Sequence, residues 1–185
     1  MHMKTYIQAL LISTLLLFVS QTHAGGLVDI SRDYGPFNLG MSNMQFTKIT
    51  GIEATNCPIC VSGETFVALD MQQARKHIPE DENVNGVDFF FLNEHLYLIS
   101  RTPDSPSLFK VREEISASFG NPDSRKVASN GVSILAWRDE DTIISVNYDD
   151  INEEVFSVET KDSTLSKKRD ILEAILIEET VKITP

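Results

Sequence analysis

Residues 132–160, VSILAWRDEDTIISVNYDDINEEVFSVET, carry the pattern that decides the fold class. Three segments rich in β-branched and aromatic residues, Val132 to Trp137, Thr142 to Tyr148 and Val155 to Thr160, are separated by the acidic turns Asp139-Glu140-Asp141 and Asp149 to Glu154. Runs this short, joined by connections this brief, pair as an antiparallel β-meander. A parallel crossover would need about a dozen residues between strands.

Upstream the same reading recurs. Val87 to Leu92 and His95 to Ser100 are predicted strands joined by a tight turn at Asn93-Glu94, and Glu64 to Leu69 is a third. Met71 to His77 adds a helical turn or two ended before Pro79, and Glu80 to Gly86 reads as loop. Residues 25–36 form an irregular lead-in. The first helix is expected over residues 43–50: Ser42 and Gln45 make a capping box, Met41 and Phe46 a hydrophobic staple, and Gly51 ends it. Ser105-Pro106 starts a second helix, with Leu108, Val111, Ile115 and Phe119 on one face and Gly120-Asn121-Pro122 as its stop. A last helical pattern runs from Leu165 to Val181. Its Lys167-Lys168-Arg169 stand early and its Glu178-Glu179 late, against the helix dipole, so packing must hold it. The expectation is an α+β two-layer sandwich: antiparallel meander sheets with about three helices packed on one face.

The N-terminus reads as an export address. Lys4 precedes an apolar run from Ile7 to Val19, and Thr22-His23-Ala24 supplies small residues at a cleavage site. Residues 1–24 are therefore expected to be a signal peptide cleaved after Ala24. That leaves residues 25–185 as a single domain, periplasmic or secreted. The 185-residue chain has 16 Lys and Arg against 27 Asp and Glu, a net charge of −11, which disfavours nucleic acid and anionic lipid as partners. No segment after residue 24 is long and apolar enough for a membrane span.

Few residues suggest chemistry. Cys57-Pro58-Ile59-Cys60 are the only cysteines, and in an oxidising compartment they most simply form one disulfide. The C-P-x-C string also resembles the active-site sequence of glutaredoxins and disulfide oxidoreductases, in which Cys57 would attack and Cys60 resolve. Val61-Ser62-Gly63, however, leads into a strand rather than a helix. His77 and His95 lack the i, i+4 partner of a helical metal site, and the acidic turns lack the alternating carboxylates and central Gly of an EF-hand loop. No metal or cofactor is expected. Phe89, Phe90, Phe91 and Trp137 read as core residues that would form a binding face if exposed.

Phe37-Asn38-Leu39-Gly40-Met41-Ser42 before a short helix, and the later Phe119-Gly120-Asn121-Pro122, resemble small periplasmic proteins that pair helices with an antiparallel sheet. These are the SmpA/OmlA-type outer-membrane assembly lipoproteins and the β-lactamase-inhibitor-like proteins. The resemblance implies binding rather than catalysis and carries over no functional residue. The reading favoured is an exported, non-enzymatic binding or accessory protein whose partner is another envelope or secreted protein. The alternatives are a thiol-disulfide redox protein using Cys57 and Cys60, and a small-ligand carrier.

Overall fold

A computed structural model describes residues 29–57, 60–61, 63–78, 84–104, 106–127 and 131–183, with side chains to residue 175. The expected signal peptide lies outside the described residues. In chain order the elements are β1 (Asp33–Tyr34), β2 (Phe37–Asn38), α1 (Asn43–Thr50), β3 (Thr55–Asn56), β4 (Glu64–Asp70), α2 (Met71–His77), β5 (Val84–Leu92), β6 (His95–Pro103), α3 (Leu108–Phe119), β7 (Ser124–Val127), β8 (Val132–Arg138), β9 (Thr142–Asp149), β10 (Glu154–Asp162) and α4 (Ser163–Ile183).

Eight strands form one antiparallel sheet in the order β3-β4-β5-β6-β10-β9-β8-β7, while β1 and β2 make a separate hairpin. The sheet is two four-stranded meanders, β3–β6 and β7–β10, each running from an edge to the centre. They join where β10 pairs with β6, Val158 opposite Arg101 and Lys161 opposite Leu98. Each meander follows a helix ended by a glycine of positive φ: Gly51 (φ 73°) after α1 and Gly120 (φ 76°) after α3. Helix-plus-meander is thus laid down twice.

Sequence chemistry explains the local choices. Ser42 accepts the Gln45 N–H while the Gln45 side chain accepts the Ser42 N–H, which completes the expected capping box. Asp70 and Gln73 repeat the device at α2. Asn93 and Glu94 both have positive φ (48° and 68°), as a two-residue hairpin turn matched to strand twist requires.

Period-two alternation sends Val67, Leu69, Val87, Phe89, Phe91 and Ile99 to one face, under Phe46 of α1 and Ala74 of α2. Phe37, Phe46 and Phe89 meet at centroid distances of 4.6–4.9 Å. On the same face of the second meander, Leu135, Trp137, Ile144, Val146 and Val158 pack beneath Val111, Ile115 and Phe119 of α3. Trp137 Nε1 donates to the Gly120 carbonyl at 2.9 Å. Each such large side chain contributes about 1.5–3 kcal/mol by burial.

Several expectations are corrected. The described residues hold four helices rather than about three, and they do not share one face. Leu165 and Leu172 of α4 pack against the buried cluster of Val61, Leu92 and Tyr97, which Phe90 and Leu98 also join on the side turned away from α1–α3. The second helix starts at Leu108 with Ser107 as N-cap, beyond the expected Ser105-Pro106; Ser105 lies outside the described residues. The lead-in contains β1, which pairs with β2 just beyond it, Val84–Gly86 belong to β5, and β3 and β7 are additional edge strands. The start of α4 against the dipole is resolved by Asp162, whose Oδ1 accepts the N–H groups of Thr164 (3.0 Å) and Leu165 (2.8 Å).

Candidate binding groove on the outer sheet face

The face turned away from α1–α3 differs between the two meanders. Over the first, Phe90, Leu92 and Leu98 join Leu165 and Leu172 of α4 in one apolar cluster. Over the second the register sets three cross-strand rows: Arg138–Ile143–Lys161, Ser124–Ala136–Ser145–Glu159, and Lys126–Ile134–Asn147. The middle row is built mostly of small residues, so it lies lower than its flanks. The result is an open groove of about 780 Å³, bounded on one side by Ser166, Arg169 and Asp170 of α4.

Charge is redistributed at this groove. Four of the chain's 16 Lys and Arg line it, against three of its 27 Asp and Glu, so a cationic strip lies on an acidic protein. The three acids are all engaged. Glu159 pairs with Lys161 at 2.6 Å and accepts from Ser145 Oγ at 3.4 Å, and Asp170 lies 3.9 Å from Arg169. Glu64 is buried; it accepts from the Tyr97 hydroxyl and from the Val61 N–H (3.2 Å), with Arg169 Nε 3.7 Å away. Burial first, and the Glu64 hydrogen bond second, push the Tyr97 phenol well above its ordinary value. A bulge between Phe90 and Phe91, which leaves Tyr97 without a partner residue on β5, gives that ring its place. The side chains of Lys126 and Arg138, by contrast, form no ion pair among the described residues; the Arg138 backbone N–H donates to Asp123 Oδ2 at 2.6 Å.

The residues singled out from sequence are dispersed. Phe89, Phe91 and Trp137 are at most 1% exposed and fill the core, so they offer no binding face. The physical reason is the pleat: Phe89 and Phe91 share the helix-covered side, and only Phe90, between them, reaches the outer face. Phe90 stacks with Phe66 at 6.1 Å and contributes to the groove wall. Cys57 and Cys60 form a disulfide between β3 and β4 (Cα–Cα 5.3 Å), with the Cys57 N–H donating to the Glu64 carbonyl at 3.4 Å. Cys60 touches one end of the groove. Cys57 follows a strand and β4 follows Cys60, so the helix N-terminus that lowers thiol pKa in redox motifs is not formed by the described residues.

The histidines and acidic turns have local roles. His77 meets Phe37 edge-on at 6.1 Å, and His95 Nδ1 lies 2.9 Å from the Asn93 carbonyl oxygen. Asp139 accepts the N–H groups of Asp141, Thr142 and Ile30, and Asp149 those of Ile151 and Asn152. These carboxylates hold turns. Among the described residues no group of three or more His, Cys, Asp or Glu is arranged to hold a metal ion, and no helix is long and apolar enough to cross a membrane.

A smaller cleft of about 240 Å³ opens on the other side of the sheet, between α3 and the central strands, lined by Val84, Arg101, Val111, Ile115, Phe119 and Ile144 among others. Sequence reasoning missed the groove residues Lys126, Arg138, Lys161 and Arg169, which come from four elements. The one available signal was the polar phase of the alternation, Ser145, Asn147, Ser157, Glu159 and Lys161, which marks an uncovered face.

No protein-family model matches the chain, and no curated protein matches it. Among solved structures it is similar to a cysteine-rich secretory protein from Staphylococcus aureus subsp. aureus Mu50, at 13% identity and a TM-score of 0.39. The match covers 69% of this chain and 44% of that one, so the chain spans less than half of that neighbour's length.

Proposed function

We propose that this chain is an exported, non-enzymatic binding protein that presents the outer face of its second meander to a protein partner. The supporting observation is the open groove itself: about 780 Å³ beside α4, with cations concentrated in it on a chain of net charge −11. An uncovered sheet face whose charge differs from the rest of the surface is a recognition feature. The side chains around it are arranged to hold one another rather than to activate a nucleophile. Glu64 is tied to Tyr97 and Val61, and Glu159 to Lys161.

Filling the groove tests the reading. Ser145→Trp places a large ring in the middle row. A photo-crosslinking residue at Ser124 is expected to capture one protein in the host's envelope or medium, and Ser145→Trp is expected to abolish that capture. The same crosslinker at Met44, exposed on α1, is expected to capture nothing. Equal capture from both positions would sink the proposal. Export is tested by the mass of the protein recovered from the extracytoplasmic fraction, expected to begin at Gly25.

The small-ligand reading has the cleft under α3 in its favour. At about 240 Å³ it falls below the roughly 300–1,000 Å³ of ordinary ligand pockets, so it ranks second. For the redox reading, equilibration of Cys57 and Cys60 with glutathione buffers decides. A potential below about −300 mV marks a structural staple, and one near −120 to −230 mV marks an oxidoreductase.

A further inference from the structure

We infer that the groove takes an extended acidic segment of its partner, with carboxylates four residues apart seated on Lys126 and Arg138. The inference rests on the binding role proposed above and adds the chemistry of what is bound. Lys126 lies opposite Ile134 on β8, and Arg138 stands four residues further along the same strand. At a rise of about 3.4 Å per residue and a strand spacing of about 4.8 Å, their Cα atoms are separated by about 14 Å.

An extended chain laid along β8 spans that distance in four residues, and its side chains at i, i+2 and i+4 face the sheet together. The end positions then meet Lys126 beside Ile134 and Arg138 beside Ile143. The middle position lies over Ala136 and Ser145, both nearly buried and small enough to admit an apolar side chain. The preferred segment is therefore acid–x–apolar–x–acid.

Charge selects this class. Lys161 and Arg169 already hold Glu159 and Glu64, whereas Lys126 and Arg138 carry no such partner among the described residues. A long polyanion such as nucleic acid would extend past the groove over a strongly acidic surface. A short segment keeps its charges within about one Debye length, roughly 8 Å, of the two cations. Both cations are exposed, so each pair is worth about two- to fivefold in affinity and weakens with salt.

The test is a titration of the isotope-labelled protein, followed by amide shifts, with the N-acetylated, C-amidated peptides Glu-Ala-Leu-Ala-Glu and Gln-Ala-Leu-Ala-Gln and a short oligothymidylate. The acidic peptide is expected to shift β7, β8 and β9 amides and to bind several-fold more weakly at high salt. The glutamine peptide and the Lys126→Glu/Arg138→Glu variant are each expected to lose about tenfold. Lys48→Glu/Lys110→Glu, the same charge change on α1 and α3, is expected to lose little. If both peptides bind the groove equally, the acidic chemistry is wrong and the binding role stands. Equal loss in the Lys48/Lys110 variant would mean net charge and not this pair. Tighter binding of the oligothymidylate, or no binding by any probe, overturns the inference; crosslinking from Ser124 then separately decides the binding role.

Discussion

The two meanders share topology, a preceding helix and a buried aromatic core, yet their outer faces have opposite fates. The first presents Phe66, Phe90, Leu92 and Leu98, and the last three join Leu165 and Leu172 of α4 in one apolar cluster. The second presents Ser145, Asn147, Glu159 and Lys161 and stays open. Arg169, on the α4 face that carries Leu165 and Leu172, reaches Glu64 on β4, so the helix is fastened to the first meander by a polar contact as well as an apolar one. Which side of a sheet acquires a cover is thus decided by the phase of the alternation that carries the apolar residues, not by strand order.

The largest expected effect tests whether the halves are energetically one body. Phe89→Ala in the first core and Trp137→Ala in the second should each cost about 3–5 kcal/mol. Because β6 and β10 share a ladder, chemical denaturation of either variant should remain a single transition with coincident tyrosine fluorescence and circular dichroism, Trp137 being the single tryptophan. A biphasic curve would show that the meanders melt separately.

Next comes the contrast between two carboxylates on the outer face. Glu64→Ala leaves the buried Tyr97 hydroxyl and Val61 N–H unpaired and should cost about 2–4 kcal/mol. Glu159→Ala removes a partly exposed pair and should cost no more than about 1 kcal/mol. Equal losses, measured by urea midpoints, would mean that the groove side is as tightly organised as the α4 side.

A smaller difference separates the two leading helices. Ser42 makes its capping hydrogen bond and Ser107 makes none, so Ser42→Ala should cost about 1 kcal/mol and Ser107→Ala a few tenths.

The smallest effects are pH-dependent and of opposite sign. For Asp162, burial alone would raise its pKa. The hydrogen bonds from Arg32 and from the backbone N–H groups of Leu165 and Thr164 outweigh that and hold it below the ordinary 3.8. Its stabilisation is present above that value and fades as pH falls through the lower folded value. Asp88, on the outer face of β5, is raised by burial, so its contribution is present below 3.8 and fades as pH rises through its higher folded value. In acid titrations of stability, Asp162→Asn should flatten the acid loss, and Asp88→Asn should raise stability near neutral pH.

Much of the first-order fold was legible. The capping box at Ser42, the Asn93-Glu94 turn, the three segments of residues 132–160 and the terminal helix all follow from local chemistry, and all are present. The edge strands β3 and β7 were not legible. Two and four residues long, and largely exposed, they carry no apolar alternation and exist because a neighbour offers free ladder positions. The site was barely legible, since Lys126, Arg138, Lys161 and Arg169 gain meaning only when antiparallel register sets β7 to β10 side by side.

By itself, then, the sequence determined the longer strands, the helix start at Ser42, the Asn93-Glu94 turn and the terminal helix, because periodicity, capping and turn preference act within a few residues. Only the tertiary structure decided that the meanders join through β6 and β10, that α4 crosses to the outer face of the first, and that a cationic groove is left over the second. Those outcomes depend on contacts between residues distant in sequence: Leu172 with the Val61, Leu92 and Tyr97 cluster, Glu64 with Arg169, Val158 with Arg101. Local pattern does not encode such contacts, because burial rewards any apolar surface that meets another and leaves the choice of partner to the whole chain.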